Sequence, residues 1–135
     1  MFTSSLFSFQ GRLRRSEWWL IRLVVLGAFA AGVALVAVVD AATGLTGEGS
    51  VDLPLGLVLL AGFAVVVWIE LAAGVKRLHD QDLSGWMMLL ILIPGVGALF
   101  ALIVLGILDG TAGPNDYGPS AKYPDRSRLA AMLFD

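Results

Sequence analysis

Four groups of residues in this chain have types and spacings that could carry chemistry. The first is Gly11-Arg12-Leu13-Arg14-Arg15-Ser16-Glu17-Trp18-Trp19, cations packed beside indoles. Each basic residue beside an anionic leaflet gains about 1 kcal/mol. Arg12, Arg14 and Arg15, with Glu17 and Trp19, therefore make a candidate face for anionic lipid head groups or a partner protein. A basic collar that sets orientation, with aromatic anchors, accounts for the same composition. The second group is Lys76-Arg77-Leu78-His79-Asp80-Gln81-Asp82-Leu83-Ser84-Gly85-Trp86. If a helix continues through it, Lys76 and Arg77 face Asp80 at spacings of four and three, a pairing worth a few tenths of a kcal/mol when exposed. Arg77, His79, Asp80 and Trp86 join the candidate face. One histidine and two nearby acids lack the spacing of a metal site, so no metal is expected.

The third group is Arg22 with Glu70. Each lies about one turn inside the cytoplasmic end of an expected membrane span, at a shared depth of roughly 6 Å. Ionisable side chains in lipid are costly unless paired or snorkelling, so an interhelical ion pair is expected. Such a pair is either part of a pathway or a packing clamp. The fourth group is a lattice of small residues, Gly27/Ala31, Ala28/Gly32 and Gly97/Ala101, at the spacing that lets helices approach closely. Contacts within one bundle explain it, and so would self-association. With no cysteine, thiolate chemistry and disulfides are excluded. Gly110–Gly118 has glycines but no following helix, so it fails as a phosphate cradle. No nucleophile–base set or catalytic carboxylate pair is recognisable. No enzymatic activity, cofactor or nucleic-acid partner is expected.

The elements that position these groups are dictated by hydropathy. The sequence is 58% hydrophobic and 15% charged, against about 45–50% and 25% in soluble domains. Leu23–Val39, Leu53–Ile69 and Leu83–Leu108 carry no charge. Three helices apolar on every side cannot be covered by the few polar residues left, which excludes a small soluble globule. The expected fold is an all-α membrane protein with a single membrane domain over 1–135. Its three transmembrane helices would lie at about 18–39, 53–73 and 86–108, each near the length that crosses about 30 Å of hydrocarbon. Ser16 is the expected N-cap of the first, and that segment is expected to stay as a permanent anchor. Pro54 suits the opening turn of the second. The third is expected to kink at Pro94–Gly95, since proline removes a backbone donor. The alternative is a re-entrant hairpin turning there, whose backbone would need shelter from lipid. Phe2, Leu6, Phe9 and Leu13 fall on one face of a short N-terminal interfacial helix; Gly11 weakens that reading, and an irregular lead with scattered apolar residues is the equal alternative. Residues 109–135 form a turn-rich tail.

Orientation follows from the basic residues. Arg12, Arg14, Arg15 and Arg22 precede or open the first run, Lys76 and Arg77 follow the second, and the first loop has neither Lys nor Arg. The positive-inside rule places both basic segments, and so the N-terminus, in the cytoplasm. Three crossings then leave the tail outside, opposed mildly by Lys122, Arg126 and Arg128. A re-entrant third segment returns it inside.

Gly11-Arg12-x-Arg14-Arg15-x-Glu17-x-Trp19, Arg77-Leu78-His79-Asp80, Ser84-x-Trp86, Leu92–Pro94 and Asn115-x-Tyr117-Gly118-Pro119 occur in that order across nearly the whole chain. Together they resemble the bacterial inner-membrane family catalogued as domain of unknown function 805. The resemblance implies a multi-span protein of the bacterial inner (cytoplasmic) membrane and supplies no activity. Arg22 and Glu70 fall outside that signature. The leading functional expectation is a non-enzymatic membrane protein whose basic cytoplasmic face binds anionic lipid or a protein partner, with self-association open. The alternative is a small oligomeric channel or transporter using Arg22 and Glu70.

Overall fold

The computed structural model describes residues 6–44, 53–123 and 132–133. Two long helices dominate, α1 (Arg15–Thr43) and α2 (Leu53–Asp80). With 29 and 28 residues they are each about 40 Å long, enough to cross a bilayer. They run antiparallel. Phe29 lies against Gly62 and Phe63, Arg22 against Glu70, and the Leu13 N–H donates to the Lys76 carbonyl at 3.1 Å. Among the described residues there is no strand, only an isolated bridge between Asn115 and Gly118.

The buried cluster sits at one end of the helix pair. Leu13, Trp18, Ile21, Ile69, Ala73, Leu78, Phe100 and Leu105 meet there. Toward the far end the helices expose Leu35, Val38, Leu57 and Val58, each by more than half. Apolar surface on that scale is what a lipid solvent tolerates and water does not.

Local chemistry explains the helix ends. α1 is capped two residues before the expected Ser16. Arg14 is the N-cap, extended at φ −68° and ψ 154°, and its N–H donates to the Glu17 carboxylate at 3.1 Å. That is the returning half of a capping box, with the acid also at the positive end of the helix dipole. α1 ends at Gly44, whose φ of +63° suits glycine and whose N–H donates to the Asp40 carbonyl at 2.7 Å. α2 runs on through the polar segment expected to follow it, as far as Asp80. There the Asp82 and Leu83 N–H groups donate to the His79 and Leu78 carbonyls at 3.1 and 3.0 Å. This is a Schellman ending with Asp82, at φ +61°, in the place glycine usually takes.

The third apolar segment differs from the expected kinked crossing. A 3-10 helix (Gly85–Leu92) runs to a turn at Ile93–Gly95, and α3 (Val96–Phe100) returns, widening into a π-helical stretch over Ala101–Ile107. Gly95 takes φ +80° at the turn, and a Cβ on Gly97 would overlap the Ile91 carbonyl, so the two arms lie in close contact. Both ends come back to the same end of α2. Gly85 packs on Val75 and His79, while Met88 and Leu105 both lie against Gly74. Proline at the turn breaks the helix, and two glycines permit reversal instead of a bend.

The N-terminal lead is not helical over residues 6–14; Phe2 of the expected apolar face lies outside the described residues. Gly11 adopts φ +91°, and the lead is held against α2. Phe9 meets Trp68 edge to face at 5.2 Å, and the Trp68 indole N–H donates to the Phe7 carbonyl at 3.1 Å.

Candidate functional site

A helix leaves its last carbonyls without backbone partners, and in an apolar setting each one is costly. The returning arm ends in five such carbonyls, Val104 to Leu108. Side chains from α1, from the last turn of α2 and from Gln81 just beyond it capture all of them. Gln81 Nε2 donates to Val104, Arg77 Nε to Leu105 at 3.0 Å, Trp19 Nε1 to Gly106 at 3.1 Å, and Arg15 Nη1 to Ile107 at 2.7 Å. Arg77 Nη2 reaches Leu108. The collar comes from α1 and from the end of α2, so it anchors the hairpin to both.

Beneath the collar lies a buried charge triad. Asp80 accepts from Arg12 Nε on one oxygen at 3.0 Å and from Arg77 Nη1 on the other at 2.9 Å. All three side chains are at least 94% buried. Arg12 spends its remaining donors on the tail, reaching the Gly113, Gly118 and Thr111 carbonyls at 2.8, 3.2 and 2.7 Å. The Thr111 N–H donates to the Asp80 carbonyl at 2.8 Å. Asn115 donates to the His79 carbonyl at 2.8 Å, and the Tyr117 ring stacks on His79 at 3.8 Å between centroids. His79 Nδ1 lies 3.3 Å from the Gly11 carbonyl oxygen. A Cβ on Gly110 would collide with Asp80, so only glycine lets the tail pass there. Charges this deep are tolerated because each is paired and hydrogen-bonded.

Beside the triad, an open cleft of about 380 Å³ lies at the start of α1, lined by Arg14, Arg15, Asp80, Asp109, Thr111 and Lys122 among others. Asp109 stands 3.6 Å from Arg15 and 3.9 Å from Lys122, both exposed pairs that hold little energy. Arg14 is exposed at the rim and is in no ion pair among the described residues.

The face expected from sequence thus divides. Arg12, Arg77 and Asp80 are buried together and consumed in mutual bonding. Arg15 and Trp19 belong to the collar, Glu17 caps α1, and His79 is covered by Tyr117. Arg14 faces solvent, and Trp86 is 80% exposed at the start of the 3-10 helix. Arg22 and Glu70 stand 3.9 Å apart on facing helices, too far for a hydrogen bond. Arg22 also lies over the Trp18 ring at 4.9 Å. Among the described residues no cluster of three or more metal-ligating side chains occurs. Thr111, Asn115 and the carbonyls of 104–108 escaped sequence reasoning. Turn-formers and backbone groups carry no side-chain signal, and only the recurrence of Asn115-x-Tyr117-Gly118 beside Arg77-Leu78-His79-Asp80 in one signature hinted at them.

Comparison with known proteins agrees with that signature. The family model described as "Protein of unknown function (DUF805)" matches residues 6–119. The inner membrane protein YhaI of Escherichia coli K12 is 37% identical over 119 residues, covering 85% of this chain and 86% of that protein. YhaH of the same strain, also an inner membrane protein, is 36% identical over 116 residues, covering 84% and 87%. The uncharacterized protein YiiR is 31% identical over 139 residues, covering 84% and 85%. No solved structure matches. With two membrane-length apolar helices and a family match that spans the hairpin, the triad and the tail turn, this chain belongs to the DUF805 family of membrane proteins.

Proposed function

We propose that this is a non-enzymatic protein of the bacterial inner membrane whose basic end binds anionic lipid head groups. In this reading α1 and α2 cross the bilayer, the Gly85–Ile107 segment enters and leaves on one side, and the lead and tail both lie in the cytoplasm. Arg12, Arg14, Arg15, Arg22, Lys76, Arg77 and Lys122 then belong to one end, as the positive-inside rule requires. Lys122, which three crossings would place outside, falls on the same side as the rest.

The observation that carries the reading is the cleft where Arg14, Arg15 and Lys122 converge at the start of α1. Arg12 and Arg77 are no longer candidates for contact with a ligand, because their donors are already used. The binding work falls to the exposed cations, aided by the positive helix end. The detergent-solubilised full chain, titrated with phosphatidylglycerol or phosphatidylcholine and read by native mass spectrometry, tests this. Retention should favour phosphatidylglycerol, and Arg14→Ala, Arg15→Ala and Lys122→Ala combined should weaken it on the order of a hundredfold. Asp109→Asn should strengthen it. Equal retention of both lipids, or an unchanged triple variant, rejects the proposal.

A further inference from the structure

A second cavity, of about 210 Å³, lies between α1, α2 and the hairpin, away from the basic cleft. Its floor is apolar, with Trp18 and Leu105 almost fully buried, and Ala101 and Ile91 complete it. Its rim residues Leu26, Val67 and Leu71 are exposed on the outer surface of the helices, so it opens sideways, toward lipid. Arg22 and Glu70 form one polar wall. They do not satisfy each other at 3.9 Å, and Glu70 Oε1 is buried without a hydrogen-bond partner. Elsewhere on the described chain polar groups in apolar surroundings are bonded with care; here a carboxylate oxygen and a guanidinium flank empty space.

We propose that this cavity binds a single-chain amphiphile with a neutral hydroxyl head, entering from the bilayer. A hydroxyl both donates and accepts, so one group can donate to Glu70 and accept from Arg22. Rotation about the last torsion of Glu70, soft and two-fold, presents either oxygen to the cavity. A carboxylate head would meet Glu70 at close range, and an ammonium would meet Arg22. The volume is below the roughly 300–1,000 Å³ of pockets that enclose a whole drug-sized ligand. It suits a head group and the first part of a chain, with the remainder left in lipid past Leu26 and Leu71. This site is independent of the anionic head-group reading and shares no exposed cation with it.

The probe is hexadecanol carrying a diazirine near its head, added to the full chain in phosphatidylcholine nanodiscs and mapped by peptide mass spectrometry after photolysis. Labelling should saturate and concentrate on the peptide containing Met88 and Ile91. Excess hexadecanol or monopalmitoylglycerol should compete, the stronger of the two identifying the head, while hexadecane and palmitate should not. Glu70→Leu should weaken labelling about tenfold, the loss expected for a hydrogen bond to a charged acceptor. Ala101→Phe, which fills the cavity from the start of the π-helical stretch and leaves the ion pair in place, should abolish it and keeps the test decisive if Glu70→Leu does not fold. Unsaturable labelling spread along α1 and α2, equal competition by hexadecane or palmitate, or unchanged labelling in Ala101→Phe overturns the proposal.

Discussion

Two charge clusters among the described residues differ instructively, the Arg12–Asp80–Arg77 triad and the Arg22–Glu70 pair. Asp80 is gripped on both oxygens by Arg12 and Arg77 at 2.9–3.0 Å in near-complete burial. Arg22 and Glu70 are only partly buried, 3.9 Å apart, and leave one carboxylate oxygen unbonded. The first cluster joins the lead, the end of α2 and the tail, and every element it touches depends on it. The second joins only two helices that already pack through Phe29, Gly62 and Phe63. A fully satisfied cluster has no capacity left for a ligand. The unsatisfied one does.

Removing Asp80 should therefore have the largest effect of any single change. Asp80→Ala leaves two buried guanidinium groups uncompensated, a loss of about 3–5 kcal/mol. Thermal unfolding in detergent, followed by far-UV circular dichroism, should show collapse of the transition or failure to accumulate folded protein. A stable Asp80→Ala variant would place the triad on a level with a surface pair. Next comes Gly97→Val, whose side chain must push the Ile91 carbonyl and open the hairpin, at about 1–3 kcal/mol by the same assay. Reversing the weaker pair should cost far less. Arg22→Glu or Glu70→Arg alone should destabilise by about 1 kcal/mol, the scale of polar contacts between membrane helices, and the double exchange should recover part of it. If the double variant is no better than either single one, the pairing is wrong. Smallest, and opposite in sign, is Asp82→Gly. Glycine relieves the left-handed conformation at φ +61° and should stabilise by about 0.5–1 kcal/mol.

The same contrast separates what could be read in the sequence from what could not. The helices α1 and α2 follow from charge-free runs whose only solvent can be lipid, and the shared depth of Arg22 and Glu70 follows from counting residues inward. The hairpin was harder. A charge-free run of that length reads alike whether it crosses or returns, and Pro94–Gly95 marks a break without giving its angle. The decisive information is non-local: Gly97 fits against Ile91, and the carbonyls of 104–108 find donors on α1 and α2. The spacing of Arg77 and Asp80 was legible, yet it suggested a weak exposed pair. What buries that pair is Arg12, 68 residues away, and a tail that composition describes only as turn-rich. Ser16 was the better N-cap by type, but Glu17 selects Arg14 by reaching back to its N–H.

In the proposed topology the third apolar segment leaves the bilayer on the side from which it enters. Because the chain has no cysteine, single cysteines can report on it without background. Gln10→Cys, Thr43→Cys and Ala112→Cys, all at exposed positions, would be labelled in intact sphaeroplasts and in inverted vesicles with a membrane-impermeant maleimide. Gln10→Cys and Ala112→Cys should react from the same face, in inverted vesicles only, and Thr43→Cys from the opposite one. Labelling of Gln10→Cys and Ala112→Cys from opposite faces would mean that the segment crosses, and the hairpin would have to be abandoned.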